Sequence, residues 1–122
     1  MLIAAFVILG VAVFLGSVLA ALHLRAESRT PPWSLAALHG LVAIGGLSCL
    51  ALALRGPPRG LAYGVASFGI LAASLITLAA LIGIALLAKR IFKARIASIM
   101  IGIHATVAVS GFVILAAYIL LG

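Results

Sequence analysis

Four uncharged apolar stretches, residues 1–24, 34–54, 61–88 and 96–121, follow one another along the chain with only short polar breaks between them. A bilayer hydrocarbon core of about 30 Å is crossed by roughly 20 helical residues at about 1.5 Å each. Each stretch is long enough. Lipid offers the backbone no hydrogen-bond partner, so a spanning segment must satisfy its own N–H and C=O groups as a helix. The pattern predicts an all-α integral membrane protein, an up-down four-helix bundle that occupies the whole of 1–122 as a single transmembrane domain.

The breaks carry matching punctuation: Arg-Ala-Glu-Ser-Arg-Thr-Pro-Pro-Trp at 25–33, Arg-Gly-Pro-Pro-Arg-Gly at 55–60 and Lys-Arg-Ile-Phe-Lys-Ala-Arg at 89–95. Proline cannot continue a helix, and Trp33 stands where interfacial aromatics belong. Loops this short force each helix against the next. The first stretch has no basic leading region and is long for a secretory signal, so it reads as a retained helix. Gly10, Gly16, Ser17, Gly45, Gly46, Gly64, Gly69, Gly83, Gly102 and Gly111 supply the small side chains that let membrane helices approach closely.

Composition narrows the functional classes. Hydrophobic residues make up 67% of the chain and charged ones 7%, at a mean hydropathy of +1.49, so its expected surroundings are a lipid bilayer and the other subunits of a membrane complex. The formal charge of +7 comes from eight Lys and Arg residues, all in the three breaks. That is a topology signal, and no nucleic-acid partner is expected. Loops one and three share a side and hold Arg25, Arg29, Lys89, Arg90, Lys93 and Arg95, against Arg55 and Arg59 in loop two. The positive-inside rule then places both termini outside a multi-pass protein of the inner (cytoplasmic) membrane. Glu27 is the only acidic residue, which removes paired-carboxylate catalysis and carboxylate metal cages. The single Cys49 excludes an intramolecular disulfide. The chain is not expected to be an enzyme by itself.

An internal repeat supplies the candidate chemistry. At an offset of 65 residues His39-Gly-Leu-Val-Ala-Ile-Gly-Gly falls on His104-Ala-Thr-Val-Ala-Val-Ser-Gly, with Val42 on Val107, Ala43 on Ala108, Gly46 on Gly111, Leu50 on Leu115 and Ala51 on Ala116. Leu22 then meets Leu87, Arg25 meets Arg90, and His23 meets Ala88. Two tandem helix pairs follow, with helices 2 and 4 parallel. Counted from Trp33 and Arg95, His39 and His104 lie about 9 and 14 Å below one membrane face. Polar side chains within a span are costly and point to function. With no carboxylate in any span, their nitrogens need a backbone carbonyl, a hydroxyl such as Ser98, Thr106 or Ser110, water or a metal.

A b-type haem requires two neutral imidazoles at matched depth, room for a flat macrocycle and cations near its propionates. His39 and His104 meet the first need, Gly46 and Gly111, two turns further along each helix, the second, and Arg25, Arg29, Lys89, Arg90, Lys93 and Arg95 the third. In these features the chain resembles the small four-helix membrane b-type cytochromes, including the haem-carrying anchor subunits of respiratory enzymes. The resemblance implies one bis-histidine haem b with His39 and His104 as axial ligands; the residues themselves add Gly46 and Gly111 as its lining and Arg25 and Arg90 toward the propionates, and the expected role is electron relay between a partner redox protein and the quinone pool. Three histidines allow one such haem at most.

Other readings stay open beside it. The histidines could serve only as interhelical hydrogen bonds in a structural accessory subunit. Met100, one turn before His104, could complete an intramembrane copper site. His23 fits an interfacial role, toward a propionate or a quinone headgroup. Cys49 reads as packing, Tyr63 and Tyr118 as the aromatic belt of the outer face, and Ser67, Ser74 and Thr77 as bonded back to their own helix. The size also resembles small multidrug-resistance transporters, but these need an acidic residue within a span, and no span here contains one.

Overall fold

A computed structural model describes residues 1–25, 31–57 and 59–122. Its elements in chain order are α1 (Leu2–Arg25), α2 (Trp33–Ala53), a short 3-10 turn (Leu61–Tyr63), α3 (Phe68–Ile91) and α4 (Ser98–Leu121), with no strand among the described residues. All four helices are long and apolar enough to cross a membrane. Glu27 and Arg29 of loop one, named above, lie outside the described residues.

Local chemistry fixes the helix ends. α2 starts directly after Pro31 and Pro32, with Pro32 in extended backbone at its N-cap. α3 begins seven residues later than hydropathy predicts. Gly60 and Gly64 take left-handed backbone with φ of 71° and 69° on either side of the 3-10 turn, and that conformation interrupts a right-handed helix whatever the apolarity of Leu61 and Tyr63. At its other end α3 runs past the expected boundary through Lys89 and Arg90, which are good helix formers and can extend their charges to the interface. It stops where Lys93 turns left-handed at φ 53°. The Ala94 N–H then reaches back to the Lys89 carbonyl at 2.8 Å, and the Lys93 N–H to that of Arg90 at 3.1 Å. This is the hydrogen-bond scheme of a glycine C-cap, with lysine in the glycine position.

Each helix packs chiefly on its hairpin neighbour, α1 on α2 and α3 on α4, and the hairpins meet through α1 on α4 and α2 on α3. α2 and α4 therefore stand on a diagonal. The contact stripe of α1 is Leu2, Ala5, Leu9 and Ala12, and that of α3 is Gly69, Ala72, Ile76 and Ala79, at the alternating steps of three and four that keep one face turned inward. α2 contributes Gly46 and Leu50, and α4 contributes Gly111, Leu115 and Tyr118. Phe6 and Phe112 stack between the hairpins with centroids 4.8 Å apart, over the position left clear by Gly10. Without a hydrophobic drive inside lipid, close fit of this kind holds the helices together.

The core is strongly lopsided. Every buried position among the described helical residues lies in the half of the bundle next to loop two and the termini. In the half next to loops one and three no described residue is buried. Two expectations change as a result. Tyr118 is 4% exposed and lies over Gly69 in the core, so it is a packing residue; Tyr63, 73% exposed, suits the aromatic belt. Thr77 bonds back to the Ala73 carbonyl at 2.7 Å as expected, whereas Ser67 stands at the α3 N-cap without a side-chain bond.

Candidate metal centre between the two hairpins

His39 stands six residues past Trp33, the first residue of α2, and His104 six past Ser98, the first of α4. Both are therefore about 9 Å inside their helices. The depths match better than a count from Arg95 suggests, because α4 begins after an extended stretch at Ala97. The imidazoles lie directly beyond the last buried layer, at the floor of the loosely packed half.

Each ring is held by the other helix of its own hairpin. His39 Nδ1–H donates to the Ala12 carbonyl of α1 at 2.9 Å, and His104 Nδ1–H to the Ala79 carbonyl of α3 at 2.8 Å. A carbonyl can only accept, so the proton sits on Nδ1, and in the neutral ring Nε2 keeps its lone pair. The approach depends on two glycines one turn further along. A Cβ on Gly16 would come within 2.9 Å of His39 Cε1, and one on Gly83 within 3.1 Å of His104 Cε1. With hydrogen in place of a side chain, each ring lies against the helix and reaches its carbonyl.

The two ring centroids are 6.0 Å apart with planes at 82°. Two imidazoles that ligate one metal from opposite sides, at about 2.0–2.1 Å each, have centroids roughly 6 Å apart. Nδ1 bound to a carbonyl is also the usual support for a ligating imidazole, since it fixes the tautomer and raises the basicity of the other nitrogen. The donor type and the ring separation fit a bis-histidine group.

Other candidate residues lie elsewhere. Gly46 faces Leu9, whose Cγ would be 2.7 Å from an added Cβ, and Gly111 faces Ile76 Cγ1 at 2.8 Å. Both are filled by helix packing inside the hairpins and open no slot at the histidines. Gly16 and Gly83 take that place. They belong to a second repeat register in which α1 maps onto α3 at an offset of 67, Ala5 on Ala72, Leu9 on Ile76, Ala12 on Ala79 and Gly16 on Gly83. From glycine to histidine the first hairpin is two residues longer than the second, Gly16 to His39 against Gly83 to His104, so an alignment at 65 alone misses them. In the corrected register His23 corresponds to Arg90, in place of Ala88 and Arg25. Both lie two turns beyond the glycines, at the mouth of the open half.

Arg90 donates from its guanidinium to the Pro31 carbonyl, tying the end of α3 to the start of α2 above the histidines. Arg25 is exposed at the end of α1. Cys49 is half-buried against the core on the far side of His39. A lipid-facing groove of about 510 Å³ between α2 and α3, lined by Ala73, Ser74, Thr77 and Leu78 among others, contains none of these residues. No family model matches the chain, and no significant match to a curated protein or a solved structure was found.

Proposed function

We propose that the protein is a membrane subunit that holds one haem b between His39 and His104 and relays electrons between a partner redox protein and the quinone pool. The observation that carries this reading is the pair of matched imidazoles, 6.0 Å apart, each with Nδ1 committed to a carbonyl and Nε2 left for a ligand. When bound, the haem supplies one-electron transfer. The chain supplies the two Nε2 donors, the carbonyls of Ala12 and Ala79 that fix their direction, and Gly16 and Gly83 that seat the rings. The packed layer of Leu50 and Leu115, both fully buried, excludes water from below. Arg90 and His23 at the mouth, with Arg25 at the rim, are the groups we assign to the haem propionates. The charge bias of the loops supports an orientation in the inner (cytoplasmic) membrane with loops one and three inside and both termini outside.

The same hydrogen bonds favour a second reading, in which each histidine is only a clasp between the helices of its hairpin and the chain is a structural accessory subunit. The two readings differ in stoichiometry. The haem reading predicts one haem per chain in protein purified from membranes with haem supplied, measured as the pyridine haemochrome against protein concentration. A ratio near zero favours the clasp, and a ratio near one half would place the ligands on two different chains.

A further inference from the structure

We infer that the face formed by the ends of α1 and α3 and loop three is a docking surface for an acidic one-electron redox protein, an inference that rests on the haem reading. The histidine pair is about 9 Å from this face, and 14 residues of α2 and 17 of α4, about 21–26 Å of helix, separate it from the opposite end. That longer path also passes through the whole buried core. Electrons have their short route on the basic side.

Charge complementarity points to the partner. Arg25, Lys93 and Arg95 are exposed there, with Lys89 and Arg90 half-buried beside them, and the described residues of this face include no acidic group. Phe92, 81% exposed, sits among these cations, an aromatic anchor inside a charged rim. Lys93 adds an independent observation. It occupies left-handed backbone at φ 53°, where glycine is preferred and a lysine is strained. A general excess of positive charge could be placed at Ala94 or elsewhere in the loop without that strain. Lys93 thus keeps a cation at a defined point of the surface despite the strain. In the exchange the reduced donor loses one electron and the haem site gains it, with no bond or proton transferred.

The test uses haem-loaded protein in nanodiscs of neutral phosphatidylcholine, with reduced plant-type [2Fe–2S] ferredoxin, a strongly acidic donor, as the probe. Two quantities are measured: the bimolecular reduction rate, and direct binding of oxidised ferredoxin to the immobilised discs. Both are expected to fall roughly tenfold between low and high salt. Lys93→Glu with Arg95→Glu is expected to lower both at least fivefold, while Arg55→Glu on the opposite face changes neither. Lys93→Gly should bind more weakly even though it relieves the backbone and raises the melting temperature. Equal binding and equal rates in the double charge variant, with its haem bands intact, would overturn the inference. So would a loss of co-purified phosphatidylglycerol in that variant with ferredoxin binding unchanged, which would assign the face to lipid headgroups. Protein without haem bands fails the haem reading alone, because binding still reports on the surface.

Discussion

Gly16→Ala and Gly83→Ala are each expected to weaken haem retention ten- to a hundredfold, the usual penalty for disturbing the groups that orient a metal ligand. The added methyl would stand 2.9 Å from His39 Cε1 in the first case, nearer than carbon atoms tolerate, and 3.1 Å from His104 Cε1 in the second, tight enough that the ring must give by a few tenths of an ångström. The ring is the mobile partner and must shift off the helix, which stretches the bond from Nδ1 to Ala12 or Ala79. The lone pair of Nε2 then no longer has a fixed direction. Neither glycine is among the buried residues of the core, so the bundle should keep its melting temperature within a few degrees. Titration of haem into the apo-protein, read by absorbance beside thermal unfolding, separates the two effects. Unchanged affinity in both variants would mean that the rings are not held as described.

Gly111→Ala is expected to have the opposite profile, a large loss of stability. Its Cβ would meet Ile76 Cγ1 at 2.8 Å, Leu75 Cβ at 3.1 Å and the Ile76 backbone nitrogen at 3.2 Å. Backbone cannot rotate away, so α4 must move off α3 at a layer that contains the fully buried Leu115. Overpacking of this kind costs about 1–3 kcal/mol, and Gly111→Leu should separate the pair entirely. Gly102 on the same helix and Gly45 on α2 have nothing within 4 Å of an added Cβ. There alanine should be neutral or gain up to about 1 kcal/mol from its better helix propensity. Thermal unfolding in detergent by circular dichroism checks the contrast, and a Gly111→Ala protein as stable as Gly102→Ala would contradict the packing.

The number of helices, their class and their order were legible from hydropathy because lipid imposes a length and a polarity that few other folds share. The helix ends were legible where proline marks them, as at Pro32, and not where backbone conformation decides, as at Lys93. Residues 61–67 are apolar enough for a span, yet Gly60 and Gly64 in left-handed geometry keep them out of α3. The two histidines stood out because an unpaired polar group in a span is rare, and the repeat placed them at one depth. The carbonyls that hold them could not be read, since every helix residue carries one and only the crossing of α1 with α2 and of α3 with α4 selects Ala12 and Ala79. Gly46 and Gly111 were conspicuous by aligning with the histidines, but seven residues along a helix is about 10 Å, enough to put them in a different layer. Gly16 and Gly83 lay in a register shifted by two residues, visible once each helix is aligned separately.

The proposed function requires that His39 and His104 together ligate one haem. The reduced-minus-oxidised visible spectrum of the purified chain, with His39→Ala and His104→Ala alongside, tests it most directly. Sharp b-type bands are expected in the parent protein and lost in both single variants, while each variant still forms a helical bundle by circular dichroism. A flat spectrum in the parent protein with haem supplied, or bands that survive either substitution, would contradict it.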